Sequence, residues 1–201
     1  MNEMIACPKC GAQFTFETFP ILYTPEQILD LSAFKAVCPS CNAELILPYP
    51  CVYCDTEKHI IIRLIPHDFD ISDLSEDVPA AEYDYSLREV HSVHSFREKT
   101  LIFEYGLDDR AIELLKILTI QQNPERFDVS DPDVLLLADA DEETLSMFAL
   151  AKDGNDFILK TPFGLYNQMC AELVNLKIDV PHGYESVNGD WILEQFRNAE
   201  H

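Results

Sequence analysis

Cys7-Pro8-Lys9-Cys10 and Cys38-Pro39-Ser40-Cys41 are the residues of this chain whose type and spacing point most directly to chemistry. Two thiolates separated by two residues form half of a metal site, and two such pairs complete a tetrahedron of sulfurs around zinc or, less often, iron. Pro8 and Pro39 stiffen the loops. Gly11 follows the first pair, where a positive φ turns backbone amides toward the sulfurs. Asn42 follows the second, and asparagine tolerates that conformation next best. The expected ligand set is Cys7, Cys10, Cys38 and Cys41, holding a structural zinc, with iron as the second choice. A closed set of four sulfurs leaves no open position for water or substrate, so catalysis at the metal is not expected.

Other residues invite weaker readings. Cys51-Val52-Tyr53-Cys54 is a third Cys-x-x-Cys pair. It reads as strand, which sends positions three apart to opposite faces and opposes joint chelation. It also lacks the helix N-terminus that would acidify a redox dithiol. His59 is a weak partner for it, and Cys170 reads as plain core. His91 and His94 stand three apart on an expected helix, with Glu89 and Glu98 nearby, in a polar setting marked by Ser92, Ser95 and Arg97. Asp139, Asp141, Glu142 and Glu143 resemble a cation trap but lack a glycine-bearing calcium loop. A strand end followed by an acidic first helical turn explains them equally well. No Ser-His-Asp set, P-loop, dinucleotide fingerprint or metalloprotease motif is present, and no nucleophile has a base beside it in the sequence.

The elements that must position the cysteines read as short strands. Gln13 to Glu17 alternates and leaves the first pair. Thr24-Pro25-Glu26-Gln27 predicts a short helix capped by Thr24 and running through Leu31. Phe34 to Val37 enters the second pair and Glu44 to Leu47 leaves it, ending at Pro48-Tyr49-Pro50. His59 to Ile65 is a β-branched strand closed by Pro66. Short antiparallel strands clipped by metal make a zinc ribbon, which has little core of its own and draws on the order of 10 kcal/mol of folding energy from its ion. Asp68 to Pro79 reads as an acidic linker. Tyr83, Leu87, Val90 and His94 have helical spacing. A second helix starts near Gly106, with Asp108 and Asp109 in its first turn and a stripe of Leu107, Ala111, Leu114, Leu115 and Leu118, and stops at Asn123-Pro124. Val134 to Ala138 is a strand. Leu145 to Lys152 and Asp156 to Lys160 flank Asp153-Gly154-Asn155 as a hairpin. Thr161-Pro162 opens a helix to about Leu176 that buries Tyr166, Met169, Cys170, Leu173 and Val174. A last short helix carries Trp191, Leu193 and Phe196.

The chain has 201 residues, 47% of them apolar, enough to bury a core. Its 14 basic and 36 acidic residues give a net charge of −22. Such an excess opposes binding to nucleic acid and to anionic membranes, and suits a basic partner or simple solvation. The excess grows along the chain: residues 1–66 carry 4 basic and 7 acidic residues, 67–127 carry 6 and 14, and 128–201 carry 4 and 15. Met1 to Met4 has no basic start, Cys7 precedes any apolar leader, and no apolar run reaches membrane length, so a cytoplasmic location with reduced thiols is expected.

In these blocks the chain resembles the bacterial CpXC family. The resemblance is carried by Cys7-Pro8-Lys9-Cys10-Gly11, Phe14, Phe16, Cys38-Pro39-Ser40-Cys41, Leu47-Pro48-Tyr49-Pro50, Tyr53 and Asp55. A second block, similar to the family's helical extension, comprises Glu98-Lys99, Ile102-Phe103-Glu104, Gly106 to Arg110 and Glu113 to Lys116. It covers roughly residues 5–122 and implies metal binding without naming a reaction. The third cysteine pair departs from the family pattern.

The reading is an α+β protein with three segments: a zinc-ribbon domain at 1–66, an acidic linker and helical extension at 67–127, and an acidic α+β unit at 128–201. Its expected role is non-catalytic interaction or regulation with a protein partner. A thiol or rubredoxin-like iron redox protein, using Cys51 and Cys54 or an iron-loaded four-cysteine site, is the alternative. Nucleic-acid binding through the ribbon is opposed by charge, and the oligomeric state is left open.

Overall fold

The computed structural model describes residues 1–74, 85–128 and 134–199, and is α+β. Two compact units divide it, Met1–Thr100 and Leu101–His201, where the sequence suggested three segments.

Unit 1 contains two hairpins and a four-stranded sheet. Strands β1 (Asn2–Ala6) and β2 (Gln13–Glu17) pair antiparallel around the first cysteine loop. Strands β4 (Lys35–Val37) and β5 (Glu44–Ile46) do the same around the second. Strand β3 (Ile21–Leu22) runs parallel to β6 (Cys51–Asp55), which pairs antiparallel with β7 (Ile60–Leu64), and β7 runs parallel to β8 (Ser86–Val90). Val52, Tyr53, Ile61, Ile62 and Leu64 have no exposed surface. A run buried on both faces gives continuous rather than alternating hydrophobicity.

Aromatic rings tie the hairpins to this sheet's surroundings. Phe16 meets Tyr49 edge-on at 5.9 Å, Tyr49 lies 5.2 Å from Phe34, and Phe34 lies 6.1 Å from Phe96 on helix α2 (Val93–Glu104). The Tyr49 hydroxyl donates to the Ala33 carbonyl and accepts from the Phe19 N–H, both at 3.1 Å. Tyr49, read as part of a strand breaker, is therefore an anchor.

Several expectations are corrected. Leu87 and Val90 lie on β8, not on a helix; α2 starts at Val93. The first helix, α1 (Glu26–Leu29), is a single turn capped by Pro25, with no side-chain cap from Thr24. The linker read over Asp68 to Pro79 falls partly outside the described residues; within them Asp70 caps a 3-10 turn at Ile71–Asp73.

Unit 2 follows the sequence more closely. Helix α3 (Asp109–Gln122) is capped by Asp108, which therefore precedes the first turn instead of occupying it. Arg110 forks onto the Asp108 carboxylate and reaches the Ile178 carbonyl at 2.7 Å. Strands β9 (Leu135–Ala140), β10 (Thr144–Leu150) and β11 (Asp156–Pro162) form an antiparallel meander. Leu135, Leu137, Leu145 and Met147 are fully buried on one face. Asp153 accepts the Asn155 N–H at 3.0 Å in the β10–β11 turn, beside Gly154 at φ +83°. Helix α4 (Phe163–Asn175) buries Tyr166, Met169 and Leu173, but Val174 is 76% exposed and Cys170 is half-buried. On α5 (Gly189–Ala199) the buried residue is Ile192, between half-buried Trp191 and Leu193.

Candidate metal centre

The two cysteine loops are built alike. In the first, the Gly11 N–H donates to the Cys7 carbonyl at 2.8 Å and the Cys7 N–H to the Ala12 carbonyl at 2.9 Å. In the second, Asn42 donates to Cys38 and Cys38 to Ala43, both at 2.9 Å. Each turn closes through one left-handed residue, Gly11 at φ +74° and Asn42 at φ +55°, as their types predict. Repeating one geometry around two Cys-Pro-x-Cys loops gives two matching pairs of thiols.

The loops bring all four sulfurs within 4.8 Å of one another. The pairs that approach between loops are Cys7–Cys41 at 3.8 Å and Cys10–Cys38 at 3.7 Å. A tetrahedron with metal–sulfur bonds of about 2.3 Å has sulfur–sulfur edges of about 3.8 Å. The donor set and its spacing therefore fit a tetrahedral thiophilic ion. The first cysteine of each loop is buried and the second exposed. The buried pair rests on Ala43 and Leu45, with Ala12, Phe14 and Leu47 packed around them.

The electrostatics are uneven. Burial opposes ionisation of Cys38, but the N–H groups of Cys41 and Ser40, joined by the Cys41 and Cys7 thiols, outweigh it and lower its pKa to about 7. The Ala12 N–H favours a thiolate at Cys10, yet the sulfurs of Cys41, Cys38 and Cys7, together with desolvation, push it up to about 12. Sulfurs packed this closely repel one another's charge, so full ionisation requires a cation at their centre.

The other sequence candidates do not converge. Cys51 and Cys54 are buried in β6, and burial raises both thiols. An inaccessible, protonated thiol is a poor nucleophile and a poor ligand. His91 precedes α2 instead of sharing it with His94; its ring meets the Ile65 carbonyl at 2.9 Å and stacks on His67 at 5.4 Å. The acidic run is a β-hairpin turn, not a helix start: the Asp141 carboxylate accepts from the Glu143 and Thr144 N–H groups at 2.8 and 2.7 Å, and Asp139 accepts from the Tyr105 hydroxyl. His59 stacks on Tyr85 at 5.0 Å. Among the described residues, the four loop cysteines are the cluster able to hold an ion. No helix among those residues is long and apolar enough to cross a membrane.

No curated protein and no solved structure gives a significant match. The family model of the CpXC proteins matches residues 5–116, from just before the first cysteine loop into α3. That span is more than half of the chain and holds both loops, the Tyr49 anchor and the buried four-stranded sheet, and so the chain belongs to the CpXC family.

Proposed function

We propose that this chain is a non-catalytic zinc protein in which Cys7, Cys10, Cys38 and Cys41 hold one structural ion, and that it serves in the cytoplasm as an interaction module for a basic protein partner. The observation that carries the metal reading is the pair of inter-loop sulfur distances, 3.8 and 3.7 Å, on the edge length of a zinc–thiolate tetrahedron. The ion neutralises mutual thiolate repulsion and fastens two hairpins that are too small to hold together through apolar burial alone. The net charge of −22 supports a basic partner over nucleic acid.

Elemental analysis of purified, untagged protein tests this reading. One zinc per chain in a colourless sample is expected. A red sample with sulfur-to-iron absorption lost on reduction would transfer the site to iron and to the redox alternative. A folded chain that carries no metal and takes up none would overturn the reading.

A further inference from the structure

The two hairpins leave a groove between their outer strands. It holds about 330 Å³ and is lined by residues 14–17 of β2 and 35–37 of β4, with Phe19, Gln27 of α1 and Ser32 completing its walls and no residue of β1 or β5 among them. It therefore lies on the side of each hairpin that has no paired neighbour.

Register shows which backbone groups face it. Cys7 and Ala12 are a hydrogen-bonded pair of the first hairpin, and the Thr18 N–H donates to Met1 at its far end. Alternation along the ladder turns the N–H and C=O of Thr15 and Glu17 away from β1. In the second hairpin the Cys38–Ala43 and Phe34–Leu47 pairs are bonded, which turns those of Val37 away from β5. Phe14, Phe16 and Ala36 supply an apolar floor. Strand β2 leaves its cysteine loop while β4 enters its own, so the two edges run in opposite directions beside the groove. Unpaired edges carry strong hydrogen-bonding demand; the outward Lys35 N–H is met by the Leu31 carbonyl at 3.1 Å, which leaves the groups of Thr15, Glu17 and Val37 to face the groove.

We propose that this groove binds an extended, basic peptide segment of a partner protein, which adds as a strand to the free edges of β2 and β4. An extended backbone is the ligand whose donors and acceptors match a free edge, and side chains of alternate residues reach the floor. Charge selects the sign. Glu17 and Lys35 both line the groove and offset each other, so the sign comes from the segment around it. Residues 1–50 hold 2 basic and 5 acidic residues, net −3. This inference rests on the interaction-module reading above and names its ligand.

The test uses the full zinc-loaded chain, isotope-labelled for NMR, titrated with a blocked heptapeptide alternating lysine and valine. Amide shifts concentrated at residues 13–19 and 35–37 are expected. The same peptide N-methylated at alternate amides keeps its charge but loses donors, and should bind about tenfold more weakly. Thr15→Pro removes an outward N–H and should weaken the unmodified peptide similarly; if that variant fails to fold, the N-methylated peptide still decides. A glutamate–valine peptide should not bind. Equal binding of the methylated peptide would reduce the effect to charge attraction and overturn the proposal. So would absence of binding, or filling of the edges by a second copy of the chain. Zinc present with no peptide bound sinks only the groove; loss of the zinc itself sinks the functional reading beneath it.

Discussion

At the residue scale the four cysteines are chemically unequal, and this has a measurable consequence. Cys38 ionises near neutrality, at about 7, while Cys10 is held up to about 12. An ion binding at pH 8 must displace the Cys10 proton but finds Cys38 already a thiolate. Below pH 7 it must displace the Cys38 proton as well. Zinc affinity therefore rises with pH throughout, and the number of protons released per ion is larger by about one at pH 6 than at pH 8. Competition with a chromophoric chelator across this range, with proton release followed by calorimetry in two buffers, checks it. A release that stays constant between the two pH values would show that the backbone N–H groups of Ser40 and Cys41 do not prepare Cys38 for metal. The clustering of the four cysteines was legible in the sequence because its signals are local: spacing, proline and a turn residue all lie within six positions. The asymmetry was not, since it combines the backbone N–H groups of the second loop with thiols that the fold brings over from the first.

At the element scale the turn after each loop is open to substitution tests. A Cβ on Gly11 would meet no atom within 4 Å, so its cost is conformational alone. Gly11→Ala should cost about 1 kcal/mol, roughly fivefold in zinc affinity. At Asn42, φ +55°, glycine should hold affinity level, alanine should lose several-fold, and valine should lose most. A flat series in competition titrations would mean that the left-handed turn does not govern the site. Strands and turns of this kind were readable because φ preference and two-residue alternation are carried by neighbours. Strand β8 was not. Leu87, Arg88 and Val90 are all buried, so polar–apolar alternation is broken and Leu87 and Val90 imitate a helix stripe. Its parallel pairing with β7 depends on residues 26 positions away. The acidic segment after β9 misled for a related reason, because Asp141 can start a hairpin turn as readily as a helix.

At the scale of the whole molecule, the two units have separate sources of stability. The hairpins of unit 1 bury little at their loop end: the cluster there is Cys7, Cys38, Ala43 and Leu45, half of it sulfur ligands. The four-stranded sheet holds Ile61, Ile62 and Leu64 with no exposed surface, and unit 2 holds Ile112, Leu135, Leu137 and Leu145 likewise. On the zinc reading proposed above, removing the ion would withdraw stabilisation on the order of 10 kcal/mol from the hairpins, more than their apolar contacts can replace. It would withdraw none directly from the meander of β9 to β11. Hydrogen exchange after chelation should therefore lose protection over residues 2–47 while the amides of β10 and α3 keep theirs, with β6 and β7 weakened through the Tyr49, Phe34 and Phe96 rings. Cys38→Ser should reproduce this pattern without a chelator. Cys170→Ser, at a half-buried position of α4, should leave residues 2–47 protected. If chelation instead releases both units together, folding is one cooperative event and the ion supports the entire chain. If it releases neither, the aromatic stack alone holds the hairpins and the four cysteines have no structural part to play.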